Sequence, residues 1–178
     1  NNKVRLTGYP RMIGCEACQR TMRTKMVQAY VVDQLKQGKE TPATLASHEH
    51  ANRVYAAEVA RVGGRLDQVC DATGLTDACQ VLHDWDGRSN PTSSAGAAIF
   101  EEFVRLASAN GVSLWTVAFD PAHPLTTPNT LSTSQDVVDT MTAAITAVTD
   151  RFELTDTYGD MHVSGDGSTA GWPLGGGM

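Results

Sequence analysis

Cys15 and Cys18 form a Cys-x-x-Cys pair, while Cys70 and Cys79 stand nine residues apart. A structural zinc site wants a second close pair, and the wider spacing makes a poor knuckle. A dithiol redox motif needs a βαβ context that is missing here. Cys15 and Cys18 therefore read as a structural disulfide or as thiols beside a loop. Cys70 and Cys79 bracket the turn-rich Asp71-Ala72-Thr73-Gly74, where a short local disulfide and buried free thiols both fit. The disulfide would suit an oxidising compartment. His48 and His50 lie two apart, about 200° around a helix, so their rings cannot share an ion there. Asp84-Trp85-Asp86-Gly87-Arg88-Ser89-Asn90 opens like a calcium loop, but its glycine comes fourth rather than sixth, and Ala95 stands where the closing glutamate belongs. The bland reading is a turn in which Asp86 caps backbone N–H groups. No Gly-x-Ser-x-Gly elbow and no glycine-rich phosphate loop occur, and none of the five histidines sits beside a plausible nucleophile. By itself the chain offers no complete catalytic apparatus.

The elements that would carry these residues are mainly helical. Met22, Met26, Ala29 and Tyr30 recur at helical spacing up to Gly38. Thr41-Pro42 opens a second helical unit, with Ala51, Tyr55, Val59 and Val62 as its stripe and Gly63-Gly64 as its stop. A turn of helix follows over 66–70, and Thr76 is placed to cap another carrying Cys79 and Leu82. The polar loop Ser89–Ser94 offers a cap to a helix with Ile99, Phe103 and Leu106 on one face and Glu101, Glu102 and Arg105 off it. Pro121, Pro124 and Pro128 demand an extended connection. Ser132 and Gln135 form a capping-box pattern before Val137, Met141, Ala144, Val148 and Phe152. Met161-His162-Val163 reads as one short strand. The expectation is about five helices with long loops, as one segment over 1–178 without an internal boundary. Such helices either bundle alone or cover a sheet supplied by other polypeptide.

Net charge is −6 and aromatics make up 6% of the 178 residues, which disfavours a nucleic-acid grip. No apolar run reaches the roughly 18 residues of a membrane span. The opening Asn1-Asn2-Lys3 and the glycine-rich end, with no element to dock it, both read as interruptions within a longer protein.

Two segments carry a resemblance. One is Leu6-Thr7-Gly8-Tyr9-Pro10-Arg11-Met12-Ile13-Gly14 with Gln19–Lys25 after it. The other is Leu82-His83-Asp84-Trp85-Asp86-Gly87-Arg88-Ser89 with Ser94–Phe103 after it. With the tail, Gly159–Val163 and Trp172–Gly176, they resemble the middle of the β-chain of penicillin-acylase-type enzymes, in the acyl-homoserine-lactone and cyclic-lipopeptide acylase branch. That resemblance implies an αββα N-terminal-nucleophile hydrolase. A self-processed serine outside this chain would attack an amide carbonyl, with its own α-amino group as base. Backbone N–H and an asparagine side chain would hold the oxyanion. That asparagine precedes the Gly-Tyr-Pro block, either upstream of residue 1 or at Asn2. A supporting arginine maps best onto Arg23, with Arg20 second. Trp85 is implied to fill a core gap and Asp86 to fix a turn. Cys15 and Cys18 depart from the pattern, which has polar or charged residues there.

The implied partners are the α-chain and the remaining β-chain of one processed acylase, and a small N-acyl substrate. The implied product classes connect to antibiotics and quorum quenching. The implied place is periplasmic or secreted, after zymogen processing. No cofactor is implied, although calcium occurs in the wider family. The rival reading is a non-catalytic helical binding or scaffold module.

Overall fold

Two long helices, α6 (Gly96–Asn110) and α7 (Gln135–Thr149), lie against each other at the centre of the computed structural model. The structure describes residues 12, 18–165 and 171–176. Ile99, Phe100, Phe103 and Ala107 on α6 meet Val137, Met141, Ala144, Ile145 and Val148 on α7, as spacing of three and four predicts. Phe152 falls beyond α7, where the Arg151 guanidinium lies 5.0 Å from its ring centroid.

Short helices surround this pair: α3 (Tyr55–Arg61), α4 (Arg65–Asp71) and α5 (Thr76–Asp84). They add Ala57, Ala60, Leu66, Val69, Ala78 and Leu82 to one continuous core. Gly63 and Gly64 sit at φ of 70° and 68°, left-handed values that let α3 turn sharply into α4. Cys70 and Cys79 form a disulfide with Cα atoms 5.5 Å apart, tying α4 to α5. The Cys15–Cys18 pairing involves Cys15, which lies outside the described residues. Removing the α4–α5 bond as Cys70→Ala/Cys79→Ala should lower stability by about 2.5 kcal/mol, the entropy of so short a loop. A shift in the urea midpoint at constant m-value is the measurement, and an unchanged midpoint refutes it.

Strands β1 (Trp115–Val117) and β2 (Asn129–Leu131) pair antiparallel, Trp115 opposite Leu131. The proline-rich connection between them is not the expected extended link but a run of turns, in which the His123 N–H donates to Asp120 O at 2.9 Å and the Thr127 N–H to His123 O at 3.1 Å. The Thr127 hydroxyl donates to the carbonyl of His123 at 2.8 Å and accepts from the Asp120 N–H at 2.9 Å.

Helices α1 (Met22–Gln37) and α2 (Pro42–Glu49) form an arm on this body. Thr21 caps α1, and Thr41 with Thr44 makes a reciprocal capping box before Pro42. The Tyr30 ring lies 4.4 Å from that of His48, and its hydroxyl donates to Glu40. These contacts hold the arm together, but it buries little: Val27, Val31, Leu35 and Leu45 are all exposed.

Several local expectations give way. The single helix expected from Pro42 to Val62 stops at Glu49, and Asn52 beyond it takes a φ of +46°. The broken stretch pairs with the next turn instead: Val54 N–H donates to Gly87 O at 2.9 Å, and Ser89 N–H to Asn52 O at 2.9 Å. Ser132 does not cap α7, because its hydroxyl accepts from the Ser134 N–H and the helix starts at Gln135. Thr76 is the first residue of α5 rather than its cap, and α6 has no side-chain cap. Met161 closes a one-turn helix, α8 (Tyr158–Met161), while Val163 bridges Pro173. The tail is docked after all. Leu174 N–H donates to His162 O and Gly176 N–H to Ser89 O, both at 2.7 Å.

Candidate functional site

The Trp-Asp-Gly block sits where the α5–α6 connection meets the broken segment before α3. Trp85 is 2% exposed, and its indole N–H donates to Arg88 O at 2.7 Å. The Arg61 guanidinium lies 5.1 Å from the indole ring centroid and donates to Trp85 O at 2.7 Å. Asp86 accepts from the Arg88 N–H at 3.0 Å and the Ser93 hydroxyl at 3.3 Å. Arg88 reaches Ala51 O at 2.7 Å. The block is a structural fastener: Asp86 does fix the turn and Trp85 does fill the core. Asp84 turns away to Gln80 at 2.8 Å and His83 at 3.3 Å, whose hydrogen bonds hold its carboxyl below the usual range. Among the described residues no three His, Cys, Asp or Glu side chains gather as a metal site.

Above this fastener a groove of about 1390 Å³ opens between the arm and the body. Arg23, Met26, Val27 and Tyr30 of α1 and Leu45 and His48 of α2 form one wall. Tyr55 of α3 and Phe100, Glu101 and Val104 of α6 form the other. The walls are mostly apolar, with charged groups set at intervals. Arg53 and Arg105 on the lining are already engaged, Arg53 by Glu58 at 2.7 Å and Arg105 by Glu102 at 2.5 Å.

Of the residues singled out by resemblance, Arg23 stands exposed on the groove wall. Arg20 donates to Cys18 O at 3.1 Å. Asn2 lies outside the described residues. His48 and His50 do not converge: the His48 ring lies tilted at 46° against Tyr30, and His50 caps the end of α2.

One polar cluster has no signal in the sequence. Glu101 lies half-buried at the groove rather than away from the packed face. It accepts from the Tyr158 hydroxyl at 2.9 Å and pairs with His162 Nε2 at 3.0 Å. The Tyr158 and His162 rings stack with centroids 4.1 Å apart. Residues 57 positions apart meet here because α8 folds back onto α6, which no local period encodes. Burial, then the hydrogen bond to Glu101 and its charge, pushes the Tyr158 phenol well above its ordinary pKa. A phenol raised in the folded state stabilises the fold below its unfolded pKa and loses that contribution at higher pH. The stability gap between wild type and Tyr158→Phe should hold at about 1 kcal/mol through neutral pH. It should then shrink above about pH 10. A gap independent of pH between 8 and 11 in urea unfolding is the contrary result.

The remaining paired histidines, His83 and His123, meet Asp84 and Asp120 on exposed surface. Among the described residues, no serine, threonine or cysteine completes a relay at any of these three histidines.

The whole chain, residues 1–178, matches the penicillin amidase family model. It is 33% identical over 151 residues to an acyl-homoserine lactone acylase PvdQ of Pseudomonas syringae pv. tomato, covering 78% of this chain and 19% of that protein. It is 31% identical over 150 residues to the acyl-homoserine lactone acylase PvdQ of Pseudomonas savastanoi pv. phaseolicola, covering 77% of this chain and 18% of that protein. The chain thus spans about a fifth of the length of the relatives it matches. A mainly helical chain with a Trp-Asp-Gly fastener built on a buried Trp85, matched end to end, belongs to the penicillin amidase family of amidohydrolases, which has the N-terminal-nucleophile hydrolase fold.

Proposed function

We propose that these 178 residues form a single segment of an acylase that removes the acyl chain from an N-acylated substrate. The substrate class is an acyl-homoserine lactone, a lipopeptide or a penicillin. The attacking hydroxyl belongs to an N-terminal serine on a segment outside this chain, and this chain alone is inactive. The observation that carries the reading is the family match over residues 1–178, joined to the absence of any nucleophile–base pair among the described residues.

In this reading the exposed apolar arm and the groove pack against the α-chain and the rest of the β-chain of the same processed enzyme. Arg23 supports the asparagine that holds the oxyanion, through its rigid fork of donors. That asparagine lies upstream of residue 1 or is Asn2. The chemistry needs no cofactor, and the enzyme works in the periplasm or outside the cell.

The test is co-expression of the complete acylase, followed by mass spectrometry of an N-acyl-homoserine lactone incubated with it. The expected products are the free fatty acid and the free amine. Arg23→Ala should lower kcat roughly 10- to 100-fold, somewhat less than losing an oxyanion donor itself. An assembled protein that processes itself yet hydrolyses no N-acyl substrate would overturn the proposal in favour of a scaffold.

A further inference from the structure

Helix α1 buries one side chain, and that side chain is a lysine. Lys25 is 2% exposed, and its ammonium donates to Pro128 O at 2.8 Å. Pro128 is itself fully buried, at the end of the connection that Thr127 locks to Asp120 and His123. Burial of the ammonium works against stability, since a lone carbonyl repays only part of the lost hydration. A methionine of similar length would fill the same slot without that cost. What the lysine adds is direction: a single donor aimed at a fixed acceptor sets both the height and the rotation of α1. Residues two apart on a helix point about 200° apart. With Lys25 turned to Pro128, Arg23 is therefore turned to the groove, where it stands. The apolar residues of α1 fix it less firmly, because Val27, Val31 and Leu35 are exposed and Met22, Met26, Ala29, Tyr30 and Val32 are only partly buried.

We infer that Lys25 is a positioning residue, which holds Arg23 in register through its bond to the Pro128 carbonyl. This rests on the reading of Arg23 given above. The experiment uses the complete acylase and compares Lys25→Met, Lys25→Gln, Arg23→Ala and the double variants. Lys25→Met should leave the melting temperature equal or higher while kcat falls about 10-fold and KM stays within about 2-fold, and its effect should vanish in the Arg23→Ala background. Lys25→Gln, which keeps a shorter donor, should lose about 3-fold in kcat and show the same coupling. Wild-type kcat in Lys25→Met beside a crippled Arg23→Ala overturns the role of Lys25 alone. A kcat loss that persists undiminished in the Arg23→Ala background also overturns it. Full activity in Arg23→Ala overturns the reading beneath it.

Discussion

Trp85→Ala should destabilise the protein by about 4 kcal/mol, the range for deleting a large aromatic from a closed core. The indole fills space against Phe100, with ring centroids 5.6 Å apart, and supports the Arg61 guanidinium from below. Its loss also removes the donor to Arg88 O and leaves that carbonyl without its N–H. Trp85→Phe separates the two contributions. It keeps most of the buried area and loses the donor, so it should cost about 1–2 kcal/mol. Urea unfolding followed by far-ultraviolet circular dichroism gives both values. A loss under about 1 kcal/mol for Trp85→Ala would mean that the Trp-Asp-Gly junction is not the fastener described here.

Gly96→Val should cost nearly as much, about 3–4 kcal/mol. A Cβ at residue 96 would lie 2.7 Å from Trp85 Cβ and 2.9 Å from Val81 O. The second obstacle is backbone, so α5 and α6 must separate for any side chain to fit. Helix propensity points the other way, since alanine exceeds glycine by about 1 kcal/mol within a helix. Gly96→Ala therefore loses less, about 2 kcal/mol, as the balance of overpacking and propensity. Trp85→Ala should not rescue Gly96→Val, because alanine keeps the Cβ and Val81 keeps its carbonyl. Stabilisation by Gly96→Ala, or full rescue in the double variant, would contradict this packing.

The long helices could be read from the sequence because each carries its own stripe. Val137, Met141, Ala144 and Val148 repeat at three and four, and Ile99 and Phe103 do the same, so burial on one side followed from spacing. The Asp86-Gly87 turn was legible for a similar reason, since its hydrogen bonds close within a few residues. The Cys70–Cys79 bridge was one of two readings because its ends are near in sequence. The candidate site was legible only in part. Arg23 came from resemblance, and nothing local marked Glu101, Tyr158, His162 or Lys25. Lys25 in particular looks like a solvated charge on an amphipathic helix until Pro128, 103 residues away, is placed beside it.

What the residues determined alone is the local alphabet: helices where apolar positions recur, turns where Gly and Asp fall together, a stretch without helix where prolines crowd. What only the tertiary structure decided is which of two locally acceptable states wins. Asn52 stays out of the helix because Ser89 offers its carbonyl, and Gly87 offers the N–H of Val54, a backbone partner across the chain. The glycine-rich tail docks because the main chains at His162 and Ser89 present free carbonyls to it. Both outcomes turn on hydrogen bonds between residues far apart in sequence, and a local pattern contains no term for a partner it cannot see.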